Sequence, residues 1–498
     1  MKPQSFRRGL IYAALSLALP GCAVGPDYHT PKAPDAPLTP SPLPATTADA
    51  GGVAQHFAVG ADIAGDWWTL YHSPQLNTLI AQALANNPSL AAAQATLLQA
   101  EENLRADEGV LVPSVSGSLG AQRNQGSTAA GAAFGSTRAK PYAPYTLYNA
   151  SLSVSYALDL WGGARRTVEG AAAQADYQRN QLEAAYLTLT ANIVTAAVNL
   201  ASLSAQIDAT NQVIAAERQL LSILQTQVSL GGAAQAQVLQ QQAQLAQAEA
   251  ALPPLQSQYA QAQNQLAAYT GTLPGNFQPQ DFTLASLTLP ADLPVSVPSA
   301  LVAQRPDIRA AAAQLHAATA NVGVADANML PQITLSAQIG HESITTGALF
   351  TPQTLLWNIV AGLTQPIFQG GQLTAQRKAA IAALRAAGAQ YQATVITAFQ
   401  NVADVLAALQ YDAIEQQSAD AAASAAAQSL SVTEAQYQLG GQPFTAVLSA
   451  QTVYQNALQT QAKARAARLA NTAALYQALG GGWWHRQDVA RECCGVIP

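Results

Sequence analysis

The chain contains one structural unit in two copies. The segment from Asn87-Pro88 to Pro113 recurs as the segment from Arg305-Pro306 to Pro331, and both prolines share one offset, since 306 − 88 = 218 and 331 − 113 = 218. Two glycine pairs follow in each copy, with offsets of 208 and 209: Gly162-Gly163 with Gly370-Gly371, and Gly231-Gly232 with Gly440-Gly441. The change in offset places about ten extra residues in a loop of the first copy, where insertions are tolerated. The fold therefore has two equivalent halves.

The composition favours long helices over an ordinary globular core. Hydrophobic residues make up 49% of the 498 residues, but only 6% are aromatic and 10% are charged. Ala, Leu and Gln dominate, which suits helices that pack closely through small side chains. The formal net charge is −6, and no basic residues cluster. Nucleic acid is therefore excluded as a partner, because binding it requires cations that neutralise phosphates.

The N-terminus has the features of a lipoprotein leader. Lys2, Arg7 and Arg8 precede an apolar stretch from Leu10 to Leu19, and Pro20-Gly21-Cys22 follows. This order predicts a signal peptide at residues 1–21 and a lipid such as palmitate on Cys22. An ordinary signal peptide followed by a chance cysteine is the alternative, and the Leu-x-Gly-Cys spacing favours lipidation. The apolar stretch is too short to span a bilayer core of about 30 Å.

Two proline-rich stretches divide the rest of the chain. Residues 22–65 are predicted to form an extended tether behind the lipid, and residues 272–299 an extended connector between the copies. The first structural repeat then occupies residues 66–271 and the second residues 300–482. Residues 483–498 form a C-terminal tail, in which Cys493-Cys494 is interpreted as incidental because adjacent cysteines rarely form an unstrained disulfide.

Each copy contains a very long helical hairpin. Residues 163–230 and 371–439 lack proline and are predicted to be helical throughout, so each helix would extend about 100 Å at 1.5 Å per residue. Glycine pairs then provide turns, and returning helices run to about residues 271 and 480. The first returning helix is predicted to break at Pro253-Pro254. Earlier, Asn87-Pro88 predicts a helix start, with Asn as the N-cap and Pro at the first helical position.

Between the helices, each copy changes from a period of 3.6 to a period of 2. Apolar residues alternate with serine, threonine and glutamine in two β-hairpins, at about residues 112–160 and 331–368. Each strand has about ten residues, the length that crosses a membrane when tilted. A soluble hairpin whose apolar face covers a core is the alternative.

Four strands cannot close a membrane barrel. A bilayer leaves no water for the backbone, so spanning strands must form a barrel without free edges. The smallest usual membrane barrel has about eight strands, so this chain must share a barrel with copies of itself. Assemblies of two, three or four chains would all close a barrel, and the strand pattern does not choose among them. The attached helices would continue the ring as an α-helical tube with a polar lumen, which makes the assembly a conduit.

The pattern gives no support to catalysis or metal binding. The six histidines are scattered, and no metalloprotease, nucleophile-elbow, phosphate-loop or paired-cysteine motif occurs. The sequence therefore predicts no catalytic residues, no metal and no cofactor. A lipid-anchored periplasmic coiled-coil scaffold without a pore would explain the helices and Cys22, but not the amphipathic strands.

Six segments together resemble a known family. They are Cys22-Ala23-Val24-Gly25-Pro26-Asp27-Tyr28, Trp67-Trp68-Thr69-Leu70, residues 76–88, Arg305-Pro306-Asp307-Ile308, Leu330-Pro331 and Gln369-Gly370-Gly371. The chain is similar to the TolC-like outer-membrane efflux channels, and specifically to the lipoprotein (NodT-type) branch that serves resistance-nodulation-division pumps. The resemblance covers nearly all of residues 22–484.

This resemblance implies a mainly α protein with membrane β structure. It implies a homotrimer with a 12-stranded β-barrel in the outer membrane, continued by a 12-helix α-barrel in the periplasm. The implied function is passive export of small molecules, as in multidrug resistance, with a periplasmic adaptor and an inner-membrane pump as partners. A type I protein-secretion channel is the alternative within the family. Ala23 beside the lipidated cysteine agrees with sorting to the outer membrane.

By the same resemblance, the adaptor contacts the two hairpin tips. We call them the first tip (Leu230, Gly231 and Gly232) and the second tip (Leu439, Gly440 and Gly441). Turn geometry alone also requires glycine here, because a tight turn between helices needs positive φ.

The periplasmic aperture departs from the family pattern. Related channels commonly carry an acidic residue just after the second tip, which forms a ring that favours cations. In this chain the aperture residues are Ala446, Ser449 and Thr452, and Ser449 stands where an aspartate is expected. We predict a weakly charged aperture that is closed by packing and polar contacts. The sequence does not identify the exported substrates, the pump or the adaptor.

Overall fold

The structure is a computed structural model that describes residues 23–39, 42–125, 144–278 and 281–486. Within those ranges the chain forms eight α-helices and six β-strands. The helices are α1 (Pro74–Asn86), α2 (Pro88–Glu108), α3 (Gly163–Ser229), α4 (Gln235–Tyr269), α5 (Pro298–Gln304), α6 (Pro306–Ala327), α7 (Gln372–Gln438) and α8 (Phe444–Ala478). The strands are β1 (His56–Val59), β2 (Ser114–Asn124), β3 (Tyr145–Leu158), β4 (Asp292–Val295), β5 (Gln332–Ser343) and β6 (Leu355–Thr364).

The two copies of the sequence unit have matching helical hairpins. Helices α3 and α7 each contain 67 residues, and α4 and α8 each contain 35. Each pair follows a β-hairpin, which is β2–β3 in the first copy and β5–β6 in the second. The extra loop residues of the first copy fall between β2 and β3, largely at 126–143, outside the described residues.

The chain divides into two compact units. The strand unit comprises the described parts of residues 1–30, 98–176 and 312–390. The helical unit comprises the described parts of residues 31–97, 177–311 and 391–498.

The strand unit contains an antiparallel sheet in the order β2-β3-β5-β6. Residues directly opposite in neighbouring strands lie on the same face, and successive residues alternate between faces. The register pairs Val115 with Val154, Val154 with Ala337, and Ala337 with Ile359, so one face is apolar across all four strands. The opposite face carries serine, threonine, asparagine and glutamine. Within the described residues, β2 and β6 each pair on one side only, so both edges are free.

The helical unit has a core of large side chains around the first short helices. Trp67, Tyr71 and Ile80 are buried, and the Trp67 ring stacks on Tyr476 with centroids 5.2 Å apart. The Tyr71 hydroxyl donates to the carbonyl of Leu469 at 2.8 Å. These contacts fix α1 and the preceding turn against α8.

The predicted helix start at Asn87-Pro88 is present in the structure. The Asn87 Oδ1 accepts hydrogen bonds from the backbone N–H groups of Ser89 and Leu90, at 2.9 and 3.0 Å. Pro88 takes the first helical position of α2. Its lack of a backbone N–H does not destabilise the helix, because the first N–H groups of a helix have no hydrogen-bond partner within it.

The predicted tether and connector contribute more than extended chain. Strand β1 of the tether region pairs in parallel with β4 of the connector region. Arg468 on α8, only 1% exposed, then holds the chain ahead of β1: its guanidinium donates to the carbonyls of Val53 at 2.7 Å and Ala50 at 2.9 Å, and to Gln55 Oε1 at 3.1 Å. A segment expected to act as a spacer is therefore packed into the helical unit.

The break predicted at Pro253-Pro254 is wrong. Helix α4 runs continuously from Gln235 to Tyr269 and contains both prolines. Two prolines remove two helical hydrogen bonds, but apolar contacts hold both sides of them. Leu252 packs against the cluster of Val213, Ile214 and Ala248, and Leu255 packs against the main core.

The Arg305-Pro306-Asp307 motif links helix ends in the helical unit. Arg305 is 7% exposed and binds the Asp307 carboxylate at 3.0 and 2.6 Å. It also donates to the carbonyl of Ala478, the last residue of α8, at 2.7 Å, where a cation is favourable. The described part of the tail packs nearby, because Trp483 Nε1 donates to the carbonyl of Gln304 at 2.7 Å. Cys493 and Cys494 lie outside the described residues.

Helix α3 is long and apolar enough to cross a membrane by length and composition alone. The most apolar window of this helix is 61% buried within the protein, however. Burial of this kind is typical of a core helix, so the helix is not evidence for a helical membrane span.

Candidate functional site

The sheet of the strand unit has the surface of a membrane-spanning wall. Its apolar face is solvent-accessible in the single chain: Leu119 is 81% exposed, Ile359 74% and Trp357 69%. Monomeric soluble proteins rarely leave a contiguous apolar surface of this kind uncovered. The apolar face includes Val115, Leu119, Leu152, Val154, Leu335, Ile339, Trp357, Ile359 and Leu363, and His341 also lies on it.

The opposite face of the sheet is suited to contact with water. Ser118 and Ser151 share a hydrogen bond of 2.8 Å between their hydroxyl groups, and Ser114 Oγ donates to the carbonyl of Ser155 at 3.2 Å. The polar face includes Ser114, Ser116, Ser118, Ser151, Ser153, Ser155, Thr334, Ser336, Gln338 and Asn358, and the apolar residues Leu356 and Val360 of β6 also lie on it. One sheet therefore separates an apolar surface from a hydroxyl-rich one.

A network of charged and aromatic groups holds the N-terminal segment in the strand unit. Arg166, at the start of α3, is 4% exposed, and its guanidinium donates to the Asp27 carboxylate at 2.6 Å and to the Glu169 carboxylate at 2.7 Å. His316 on α6 lies 2.8 Å from the other Glu169 oxygen and stacks on the Tyr28 ring with centroids 4.3 Å apart. We call these five residues the N-terminal clamp.

The electrostatics of the N-terminal clamp favour its charged form. The hydrogen bond and charge of Arg166 lower the pKa of Asp27. Burial raises the pKa of Glu169, but hydrogen bonds from Arg166 and His316 outweigh that effect and lower it overall. An ionised Glu169 is only an acceptor, so His316 Nε2 must carry the proton and donate.

The clamp fixes the chain directly behind the predicted lipid site. Cys22 lies outside the described residues, and Ala23 is the first residue described. The backbone N–H of Val24 donates to the carbonyl of Trp161 at 2.9 Å, just past the end of β3. A Cβ atom on Gly25 would clash with the backbone of Gly323, so these two segments of the chain can approach closely only because both positions are glycine.

Both hairpin tips end in the same glycine cap. Gly231 and Gly440 have φ values of 79° and 77°, in the left-handed region that favours glycine. Gly232 N–H donates to the carbonyl of Gln227, and Gly441 N–H to the carbonyl of Gln436, each at 2.8 Å. These are the hydrogen bonds of a Schellman motif. The leucine of each tip is also exposed: Leu230 is 80% exposed and Leu439 is 86%.

The aperture residues lie on one face of α8. Ala446 is half-buried, whereas Ser449 and Thr452 are exposed, and the spacing of three residues places them on adjacent turns. Thr452 Oγ1 accepts a hydrogen bond from Gln244 Nε2 on α4 at 3.3 Å. No acidic or basic residue occurs between Phe444 and Gln461. The aperture and tip roles stay predictions.

Two features of the site were not predicted from the sequence. The sequence highlighted Gly-Pro-Asp-Tyr, but not its binding partners Arg166, Glu169 and His316. It also missed the buried acid Glu217 on α3, which faces α4. The available signal was that only 10% of the residues are charged. Ionisable residues are rarely buried unless they are paired, so each one within an apolar helix is unusual.

Comparison with known proteins places the chain in a family. The outer membrane efflux protein family matches residues 79–272 and 297–481. The pyoverdine export outer membrane protein OpmQ of Pseudomonas putida is 30% identical over 84% of this chain and 88% of its own length. The toluene efflux pump outer membrane protein TtgC of Pseudomonas putida is 29% identical over 98% of each chain. The outer-membrane channel OprN has the same fold, with a TM-score of 0.82 and 25% identity over 93% of this chain and all of its own.

These findings confirm the family resemblance and the expected fold class of the chain. They also agree with the absence of an enzymatic role, because the relatives are channels. The chain belongs to the outer membrane efflux protein family and is an outer-membrane channel component of an efflux system.

Proposed function

We propose that three copies of this chain form one channel, anchored by a lipid on Cys22, that passively exports small molecules. Each copy supplies four strands to a 12-stranded barrel in the outer membrane, and its helical hairpins continue the wall as a 12-helix tube in the periplasm. A periplasmic adaptor binds the hairpin tips, and an inner-membrane pump of the resistance-nodulation-division class supplies the energy.

The sheet of the strand unit is the observation that carries this proposal. Its apolar face is exposed, its other face is hydroxyl-rich, and both of its edges are unpaired within the described residues. Each edge exposes backbone groups that hydrocarbon cannot satisfy. Pairing β6 of one copy with β2 of the next removes every edge and directs the apolar face to lipid, with serine and glutamine toward the lumen.

The N-terminal clamp supports the lipid anchor. Residues 23–28 are held beside the ends of β3 and β5, because Val24 binds Trp161, and Trp161 Nε1 donates to the carbonyl of Pro331 at 2.7 Å. Residues at strand ends lie at the membrane boundary in a barrel. A lipid on Cys22, one residue ahead of Ala23, would therefore enter the bilayer next to the barrel that it accompanies.

The hairpin tips support adaptor binding. Each tip combines an exposed leucine with glycines that leave the backbone accessible, and the two tips share one geometry. A partner with a repeated binding element would find two similar sites on every subunit. The relatives are described as exporting pyoverdine and toluene. We propose small organic molecules as the substrate class here, with selection made by the pump.

Planar-bilayer recording of the purified mature protein tests the conduit, and native mass spectrometry in detergent tests the assembly. We expect discrete conductance steps and a mass of three subunits. A stable, folded single subunit with protease-accessible strands, or the absence of conductance, would contradict the proposal. A conducting species of two or four subunits would correct the barrel size.

A further inference from the structure

Glu217 is a buried carboxylic acid on the inner face of α3. The residue is only 1% exposed and lies between two apolar clusters, which contain Ile214 on one side and Leu224 on the other. Neither carboxylate oxygen has a hydrogen-bond partner within the described residues. Burying an unpaired charge is costly, so the ionised form must be accommodated by a local change.

Amide side chains of α4 connect this acid to the aperture helix. Gln241, fully buried, donates from Nε2 to the backbone carbonyl of Glu217 at 3.1 Å, and its own Oε1 is unpaired. Gln244, one turn further along α4, lies beside the Glu217 carboxyl group and also donates to Thr452 Oγ1 on α8 at 3.3 Å. Glu217 on α3, Gln244 on α4 and Thr452 on α8 thus lie next to one another in a row across three helices.

No cation on the surrounding helices compensates an ionised Glu217. Helix α4 has no ionisable residue between Gln235 and Ala248, and α8 has only Tyr454 between Phe444 and Gln461. Arg218 is adjacent in sequence, but its guanidinium is exposed and binds Glu249 at 2.6 Å. The other ionisable groups toward this end of the hairpins are Glu434 and Tyr437 of α7.

Both protonation states of Glu217 are accessible near neutral pH. Burial raises the pKa of Glu217 to about 7, although the Gln244 side chain opposes part of the rise. The folded pKa is above that of the unfolded chain, so the neutral acid stabilises the packed helices fully at acidic pH. This stabilisation is lost as the pH rises through about 7.

We propose that Glu217 is a proton-operated control on the aperture, acting through Gln244 on Thr452. The neutral acid leaves the Gln244 amide bound to Thr452, which holds α4 against α8. An ionised carboxylate is a stronger acceptor than a hydroxyl group, so it draws the amide away and loosens α8 at the aperture. The channel is tighter under acidic conditions and opens more readily under alkaline ones. The inference rests on the proposed function, because it assigns Thr452 to the aperture.

Single-channel recording at two pH values tests this inference. The full-length mature protein is compared at about pH 5.5 and about pH 8.5, roughly 1.5 units on either side of the transition. We expect the open probability of the wild type to rise at least about threefold at the higher pH. The open probability of Glu217→Gln should stay at the low value at both pH values. The open probability of Thr452→Val should stay at the high value at both pH values. Glu102→Gln, which changes an exposed carboxylate on α2, should keep the wild-type response.

Hydrogen exchange provides a second readout that does not depend on conduction. After correction for intrinsic rates, amides of residues 241–247 and 449–455 should exchange faster at about pH 8.5 in the wild type, but not in Glu217→Gln. A Glu217→Gln channel that keeps the pH response would overturn the inference. A wild-type channel that conducts equally at both values would also overturn it while leaving the proposed function intact. Complete absence of conductance would overturn both.

Discussion

The guanidinium of Arg166 binds the Asp27 carboxylate at 2.6 Å, although 139 residues separate the two in the chain. This contact attaches the segment behind the predicted lipid site to the start of α3. Arg166 is buried and Asp27 is exposed, so the helix provides the rigid part of the contact and the segment is the part that can detach. The N-terminal segment and the start of α3 are thereby linked by a side-chain contact as well as by the backbone.

Replacing Arg166 should free the N-terminal segment. Arg166→Ala removes three hydrogen bonds, to Asp27, to Glu169 and to the Val24 carbonyl, and should destabilise this contact by about 1–3 kcal/mol. Tyr28 then leaves its stacked position on His316. Chymotrypsin cleavage after Tyr28 should become at least about tenfold faster, since about 1.4 kcal/mol corresponds to that factor.

Arg105→Ala is the matched control for this experiment. Arg105 pairs with Glu102 on the surface of α2, where the side chains are 68% and 54% exposed, and such pairs contribute little. Equal cleavage of wild type and Arg166→Ala at Tyr28 would show that the N-terminal clamp does not hold the segment.

The attachment of Asp27 should be insensitive to pH over the physiological range. Arg166 lowers the pKa of Asp27 below its ordinary value of 3.8, so the contact contributes above that value and is lost as the pH falls through the lowered one. Protection of Tyr28 from an acid-active protease should therefore persist at about pH 5 and disappear only well below about pH 4. Loss of protection between pH 5 and 7 would indicate that a different group controls the segment.

The glycines of each tip should differ in their tolerance of a side chain. Gly231→Ala and Gly440→Ala force an L-residue into positive φ, which costs about 1–2 kcal/mol, although nothing nearby would clash. Gly232→Ala and Gly441→Ala place a Cβ at ordinary contact distance, 3.6 and 3.5 Å from a carbonyl oxygen, without positive φ. Hydrogen exchange of the tip amides should rise in the first pair only.

The same four variants separate turn geometry from adaptor binding. If the partner approaches the backbone closely, the second pair should weaken adaptor binding in a pull-down while leaving tip exchange unchanged. Normal binding by Gly232→Ala and Gly441→Ala would restrict the role of these glycines to the turn.

Arg468 should be among the most sensitive positions of the helical unit. Arg468→Ala removes the hydrogen bonds from a buried guanidinium to the carbonyls of Val53 and Ala50 and to Gln55 Oε1, and the loss of a charged donor typically costs about 1.5–3 kcal/mol. The melting temperature of the purified protein should fall, and β1 should lose protection from hydrogen exchange. Arg465→Ala removes only a bond to the Leu284 carbonyl and should cost about 1 kcal/mol. Equal effects of the two substitutions would contradict the structural role of Arg468.

Local patterns predicted the elements that depend on local chemistry. The Asn87-Pro88 helix start, the glycine turns and the alternation of the strands follow from side-chain preferences within a few residues. The register of β3 with β5 was not predicted, but it extends that alternation across the repeat boundary. The hairpins of the two equivalent halves pair through β3 and β5. The apolar face determines which residues of these strands lie opposite each other.

Contacts between distant segments could not be predicted from local sequence patterns. Nothing near Arg166 in sequence indicates that it binds Asp27, and nothing near Glu217 indicates that its helix face is covered. Strand β4 contains Pro294, and a proline argues against a central strand. In the structure β4 is an edge strand that pairs with β1, and a proline is tolerated at that position. The helix through Pro253-Pro254 was missed for the same reason, because the contacts of Leu252 and Leu255 that sustain it come from other helices.

Two adjacent residues of β6 give the sharpest test of the membrane wall. Ile359 lies on the apolar face and Asn358 on the hydroxyl-rich face, although they occupy neighbouring positions of one strand. Ile359→Lys would place a charge against hydrocarbon at a cost of about 2–4 kcal/mol near the bilayer midplane, whereas Asn358→Lys would place the same charge in the wet lumen. We expect Ile359→Lys to reduce the outer-membrane yield of oligomer that resists mild detergent. Asn358→Lys should assemble normally and shift ion selectivity toward anions. Equal assembly of both variants would mean that the apolar face does not contact lipid, because a soluble sheet tolerates a surface lysine on either exposed side.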